Sequence, residues 1–482
     1  MNYRMLVRLL AGVLRIAAAF MIPAAAISFA HGETAALHAF LITIVIMLAI
    51  SCVSFLFPPK KRAFYAREGF VLAALTWFMV SLLGALPFVL SGVLPNYIDA
   101  LFETASGFST TGASVMTNLT EAPRGILYWR SFTHWLGGMG VLVFLLSLES
   151  LGSGSDSMHI MRAESPGPQV SKLVPHTMSS ARILYGIYIG MTLVLMGLLL
   201  LGGMNLFDAV TTALGTAGTG GFGTRPDSMA SFSPFLQWVV GVFMALFGVN
   251  FGIYYLILQR SFKKAFRNAE LWLYVGMMAV STVIIAWQIF PEYGLGSSVR
   301  HGFFQVSSIM TTTGFATADF DRWPQLARTL LVMLSLIGAC AGSTGGGFKI
   351  SRLLILFKSL KREMQRVLHP KSIVTVHIDG EPISKDTIGN TYAFLVAYCL
   401  IMALSILLMS LDKTSFEANV TAVIACLNNI GPGLGQVGPM GGYAELSSLS
   451  KLVLTMNMLL GRLEIFPILI LFMPGVWKKA RS

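Results

Sequence analysis

At 482 residues the chain could hold several soluble domains, but 55% of its residues are hydrophobic, only 12% are charged, and the mean hydropathy is +0.71. A soluble chain carries about 25% charged residues, so soluble enzymes and soluble binding modules are excluded. The formal charge of +12 would point a soluble protein toward nucleic acid, whereas in a polytopic membrane protein it bears on topology, and no nucleic-acid partner is expected.

Crossing a hydrocarbon core of about 30 Å takes roughly 20 apolar residues per helix. In chain order the blocks that meet this are 9–30, 37–57, 69–92, 127–148, 182–203, 233–258, 270–290, 326–346, 391–411 and 450–474. The first has the basic flank of a signal peptide but is longer than a signal h-region and runs straight into the second, so it reads as a retained helix. Most Lys and Arg residues fall in connections on one side: Arg4 and Arg8, the 60–67 cluster, Arg162 to Arg182, the 260–267 cluster, a long basic stretch from Lys349 to Lys371 with Lys385, and Lys478, Lys479 and Arg481. By the positive-inside rule that side, with both termini, is cytoplasmic. The basic stretch after Lys349 reads equally as a topology signal that meets anionic membrane lipid and as a docking surface. The four cysteines stand far apart with neither CxxC nor metal-ligand spacing.

Between alternate spans on the outer side lie four segments too apolar for free loops and too short to cross. They cover 98–112, 207–222, 299–315 and 416–433, and each ends in a polar turn: Ser109-Thr110-Thr111-Gly112, Gly218-Thr219-Gly220-Gly221-Phe222, Thr311-Thr312-Thr313-Gly314-Phe315, and Asn428-Asn429-Ile430-Gly431-Pro432-Gly433. In three of them an acid (Asp99, Asp208, Glu417) opens the short helix, where the positive end of the dipole favours it, as a cap rather than an ion ligand. The pattern helix, half-helix with turn, helix therefore recurs four times. It divides the chain into a hairpin (1–60) and pore repeats at 61–150, 151–260, 261–370 and 371–482. The expected fold is an all-α polytopic membrane protein with four pseudo-repeats around one central pore.

Non-helical backbone at membrane depth is tolerated only where it is buried in protein or lines a water-filled path. Short helices descending from the outer face aim their negative ends at the membrane centre, which favours a cation there. Turns of the Thr-Thr-Thr-Gly type offer backbone carbonyls in place of a hydration shell. A dehydrated alkali cation is the expected ligand.

These four turns, together with Ala339-Cys340-Ala341-Gly342-Ser343-Thr344-Gly345-Gly346-Gly347 and Gly461-Arg462-Leu463-Glu464, resemble the TrkH/KtrB family of bacterial potassium transporters over about residues 68–474. The extra N-terminal hairpin resembles the TrkH branch. The resemblance implies a K+ selectivity filter built from Thr110, Thr111 and Gly112; Thr219 and Gly220; Thr312, Thr313 and Gly314; and Asn429, Ile430 and Gly431. Relatives with serine in the first turn tend to pass sodium, so four glycines lean to potassium. It also implies a gate formed by Gly342, Ser343, Thr344, Gly345, Gly346 and Gly347, with Arg462 as a positive charge near the pore. Further implications are a homodimer in the bacterial inner membrane and a cytosolic nucleotide-binding regulatory subunit of the TrkA type, with no cofactor on this chain.

Plainer readings stand beside these. Gly218-x-Gly220-x-x-Gly223 and Gly433-x-Gly435-x-x-Gly438 fit a dinucleotide motif but follow no strand, and Phe348 occupies the lysine place of the near-Walker stretch 342–347. Gly137, Gly138 and Gly140 read as tight helix packing. Arg462 and Glu464 are two apart and cannot face each other on a helix, so each needs other partners. The rival function is a sodium- or proton-coupled potassium symporter; against it stands a scarcity of intramembrane carboxylates, with Glu149 and Glu464 the main candidates. An enzyme is not expected, since no nucleophile with an adjacent base, HExxH or paired intramembrane Asp occurs.

Overall fold

A computed structural model describes residues 1–56, 66–138, 140, 178–372 and 374–477. It is helical apart from a two-stranded antiparallel hairpin, β1 (His377–Ile378) with β2 (Glu381–Pro382). The predicted N-terminal hairpin is α1 (Tyr3–Ala30) and α2 (Thr34–Cys52). The first repeat follows as α3 (Ala66–Gly84), the short α4 (Tyr97–Phe108) and α5 (Arg124–Gly138). The second is α6 (Met178–Leu201), the short α7 (Leu206–Ala217), and α8 (Pro234–Phe247) with α9 (Phe251–Leu258).

In the third repeat α10 (Ala269–Met310) combines the long helix and the half-helix, broken at Gly294 where φ is +70°. Then come α11 (Gln325–Ile337) and α12 (Ile350–Leu368). The fourth is α13 (Lys385–Met409), the short α14 (Phe416–Leu427), α15 (Ser448–Arg462) and α16 (Phe466–Leu471).

Six of these helices are long and apolar enough to cross a membrane, or seven when α8 and α9, bent by 89°, are taken as one span. Ten blocks met the sequence criterion, and the difference lies in the closing helix of each repeat. The second half of block 127–148 falls outside the described residues, as do Lys60, Arg162, Lys172, Glu149 and Lys478. Block 326–346 is helical only to Ile337, and 450–474 breaks after Arg462. Hydropathy scores composition and not conformation, so it runs through Ala339-Cys340-Ala341 at the first of these breaks and through Leu463 and Ile465 at the second.

The backbone at two breaks is mutually satisfied: Cys340 N–H donates to the Gly248 carbonyl (3.1 Å) and Phe251 N–H to the Gly342 carbonyl (3.0 Å). That accounts for polar groups that hydrocarbon could not solvate.

Three of the short helices start on side-chain caps. Asn96 Oδ1 accepts from Ile98 N–H (3.0 Å), Asn205 Oδ1 from Asp208 N–H (2.8 Å) and Ser415 Oγ from Ala418 N–H (3.2 Å). The caps are thus Asn and Ser, which corrects the assignment to Asp99, Asp208 and Glu417. Those acids sit in the first turn, where the dipole still favours them, and pair with Lys451 (2.6 Å), Arg225 (3.5 Å) and Arg328.

Candidate functional site

All four short helices stop in the same way. The N–H groups of Thr110, Thr219, Thr312 and Asn429 bond to the carbonyls of Gly107, Thr216, Ile309 and Cys426 at 3.0–3.3 Å. Those of Thr111, Gly220, Thr313 and Ile430 reach back to Ser106, Gly215, Ser308 and Ala425 at 2.8–2.9 Å. This is the Schellman pattern, whose pivot residue is left-handed, and Thr110, Thr219, Thr312 and Asn429 have φ of +59°, +52°, +59° and +57°. Two residues on, Gly112, Gly221, Gly314 and Gly431 also take positive φ, from +78° to +97°.

The register of the second turn is therefore corrected. Gly221, not Gly220, stands where the other turns have Gly112, Gly314 and Gly431, and Gly220 occupies the place of Thr111, Thr313 and Ile430. Three crowded glycines hide this in the sequence; the hydrogen-bond pattern decides it.

The turns meet in a closed ring. A Cβ on Gly112 would overlap the carbonyl oxygen of Gly220, one on Gly221 that of Thr313, one on Gly314 that of Ile430, and one on Gly431 would lie 2.7 Å from that of Thr111. First touches second, second third, third fourth, and fourth first, each time through the same two positions. Side chains add to the last join, where Asn429 Nδ2 donates to Thr111 Oγ1 (3.0 Å). A vestibule of about 420 Å³ opens on one side of the ring and is lined by all four positive-φ glycines. His134 backs the second turn, with Nδ1 2.8 Å from the Gly107 carbonyl and its ring against Gly220.

Against the ring lies the break between α11 and α12, with positive φ at Gly338, Gly342, Gly347 and Lys349. Gly346 N–H donates to Thr312 Oγ1 (2.6 Å), and a Cβ on Gly345 or Gly346 would press on the carbonyls of Thr311 or Asn428. The segment thus lies directly against the third and fourth turns. Gly347 packs on Gly338, Ser343 Oγ donates to the Cys340 carbonyl (2.6 Å), and Thr344 Oγ1 to that of Phe247 (3.2 Å). Arg462, from the end of α15, donates to the carbonyls of Thr344 (2.8 Å), Gly138 (2.8 Å) and Gly137. One guanidinium therefore ties together the first, third and fourth repeats. Gly137 and Gly138 are tightly packed, as expected, against Phe108 and Gly218, and their carbonyls also accept from Arg462.

Sequence reasoning missed four participants. Lys349 is buried with Nζ on the Gly345 carbonyl, and Arg352 is buried in an ion pair with Glu464 (2.5 Å). The basic stretch assigned to the cytoplasmic surface therefore begins inside the protein. Glu270 Oε1 accepts from Ala341 N–H (2.7 Å) and Ser351 N–H (3.1 Å), clasping both ends of the loop. Glu103 is buried in an ion pair with Arg130. Buried carboxylates are thus not scarce among the described residues: Glu68, Glu103, Asp208 and Glu270 are buried and Glu464 is half-buried, which corrects the count made from apolar blocks. Glu103 sits in a half-helix and Glu270 in the first turn of a span, neither of which a search of full-length spans covers well.

Residues 36–479 match the family described as "TrkH: Cation transport protein". The chain is 35% identical over 455 residues to the Trk system potassium uptake protein TrkH of Salmonella typhimurium, covering 92% of each chain. It is 33% identical over 469 residues to the Trk system potassium uptake protein TrkG of Escherichia coli K12, covering 95% of each. The crystal structure of the potassium transporter TrkH from Vibrio parahaemolyticus superposes with a TM-score of 0.88 at 29% identity, over 99% of this chain and 100% of that one. With its broken helices, its ring of turns and these matches over nearly its full length, the chain belongs to the TrkH family of multi-pass cation transport proteins.

Proposed function

We propose that the protein takes up potassium across the bacterial inner membrane, through a filter formed by the four Schellman turns. The observation that carries this is the cyclic contact of equivalent positions, which gives four strands of carbonyls one common axis. Three Thr and one Asn pivots followed by glycines turn successive carbonyls toward that axis, where they replace water around a dehydrated cation. An inside-negative potential contributes about 2.3 kcal/mol per charge per 100 mV to inward movement. The segment 338–349 obstructs the path on the inner side, and Arg462, Lys349 and Arg352, only partly balanced by Glu464 and Glu270, raise the barrier to a cation there. Both termini face the cytoplasm. The protein works as a homodimer under a cytosolic nucleotide-binding subunit, so any nucleotide belongs to that partner.

Flux into liposomes holding the purified protein alone, with potassium, rubidium, sodium or lithium gradients at clamped potential, tests the reading. Potassium and rubidium entry well above sodium, without a co-ion, is expected. Flux that appears only with a sodium or proton gradient would replace it with the coupled symporter. The carboxylates such a symporter would use are engaged here: Glu68 by the Asn2 N–H, Glu103 by Arg130, Asp208 by Arg225, Glu270 by two backbone N–H groups and Glu464 by Arg352.

A further inference from the structure

The ring has fourfold pattern but unequal support on the side of the vestibule. Nine residues before each turn glycine, the four half-helices carry Glu103, Thr212, Gln305 and Ala422, so the first repeat alone places a charge there. Glu103 Oε1 accepts from Arg130 Nε (2.5 Å) and from Ser114 Oγ (3.0 Å), while Oε2 accepts from Val115 N–H (2.8 Å). Arg130 Nη1 donates to the Gly223 carbonyl (3.0 Å), and its guanidinium lies 3.6 Å from the centre of the Phe222 ring.

Ser114 and Gly223 are equivalent positions, each two residues beyond its turn glycine. The carboxylate therefore grips the outgoing strand of the first turn, the guanidinium grips the same point of the second, and the ion pair joins them. Both side chains are almost wholly removed from solvent, and Arg130 borders the vestibule.

We propose that the Glu103–Arg130 pair is a positioning element that fixes the spacing of the first and second turns and thereby sets discrimination between potassium and sodium. This rests on reading the ring as the filter. A cage of carbonyls discriminates between ions differing by a few tenths of an ångström in radius only while its spacing is held. A planar guanidinium that donates from Nε to Glu103 and from Nη1 to the Gly223 carbonyl holds the two at a fixed separation better than a flexible ammonium would. As a mere stability device the pair would be replaceable, since a buried ion pair exchanged for neutral groups of similar size often leaves stability unchanged.

The test is potassium and sodium flux in liposomes for Arg130→Lys and for the double variant Glu103→Gln/Arg130→Met, with thermal unfolding followed in parallel. Arg130→Lys keeps the charge and stem but loses the fork. The double variant removes both charges, so neither is left buried and alone. Both are expected to pass potassium with the sodium-to-potassium ratio raised about tenfold, equivalent to about 1.4 kcal/mol of lost discrimination. A wild-type ratio in either conducting variant overturns the proposal, and loss of both flux and folding in the two variants overturns it too by assigning the pair to stability. Gly314→Ser, in the third turn, which neither Glu103 nor Arg130 hydrogen-bonds, distinguishes failure of the positioning role from failure of the filter reading. If it erodes the ratio while the pair variants do not, only the positioning role fails; if it leaves the ratio intact, the filter reading itself fails.

Discussion

A threonine seldom ends a helix in the left-handed conformation, which costs a residue other than glycine roughly 1–2 kcal/mol, yet Thr110, Thr219 and Thr312 all do so. The glycine comes two residues later, where positive φ and the carbonyl of the next turn both forbid a side chain. Gly112→Ser is therefore expected to push the Gly220 carbonyl out of line and erode discrimination against sodium; unchanged ion ratios in liposome flux would mean that this turn is not part of the filter. The corrected register makes a sharper prediction. Gly220 is crowded by the ring of His134, whereas Gly221 is crowded by backbone, so Gly220→Ala should regain wild-type selectivity when combined with His134→Ala, and Gly221→Ala should not. Rescue of both, or of neither, by the same flux assay would contradict the assignment. Gly112, Gly314 and Gly431 were legible in the sequence because they recur after similar half-helices. Which of Gly218, Gly220 and Gly221 belongs to the set was not, because adjacent glycines carry no side-chain pattern and only hydrogen bonds order them.

Among helices, the consequential feature is that three repeats close with a helix that stops after 13–15 residues: α8 at Gly248, α11 at Ile337 and α15 at Arg462. The sequence revealed the α11 break through its run of glycines. The α15 break is hidden, since Leu463 and Ile465 look like ordinary apolar helix residues while Glu464 and Ile465 take φ of +56° and +65°. For a β-branched residue such as Ile465 this conformation is a genuine outlier. The fourth repeat thus meets the third at the Arg352–Glu464 pair and the Arg462 bonds. Deletion of residues 345–347 is expected to raise basal ion flux, because the segment that lies against Thr311 and Asn428 would no longer reach them; a folded deletion variant with wild-type flux would refute the gate. Arg462→Ala frees the Thr344, Gly137 and Gly138 carbonyls at once and should raise conductance with the ion ratio unchanged. If single-channel or liposome records show only loss of folded protein, Arg462 is a structural clamp and not a barrier.

At the scale of the whole molecule, the N-terminal hairpin stands outside the fourfold pattern yet braces it. Glu33, just before α2, accepts from the N–H groups of Arg124 (2.6 Å) and Gly125 (3.1 Å), capping α5 from another part of the chain. Glu33→Ala should lower thermal stability by about 1 kcal/mol, as loss of a helix cap does, without altering ion ratios. A shifted ratio at wild-type stability would place the hairpin in the transport path instead. Hydropathy made the hairpin legible as two helices but not as a cap, because the contact joins residues 91 and 92 apart in sequence. The ring carries the same long-range character further. Its last join links Asn429 to Thr111 across 318 residues, and each of the other joins bridges two repeats. During synthesis the early turns must therefore enter the membrane with their glycine faces unmatched, and the circle closes only when the last repeat arrives. A chain whose synthesis stops before the fourth repeat leaves Gly314 and the Thr111 carbonyl without the Ile430 carbonyl and Gly431 that they meet in the finished molecule, an open arc in place of a ring.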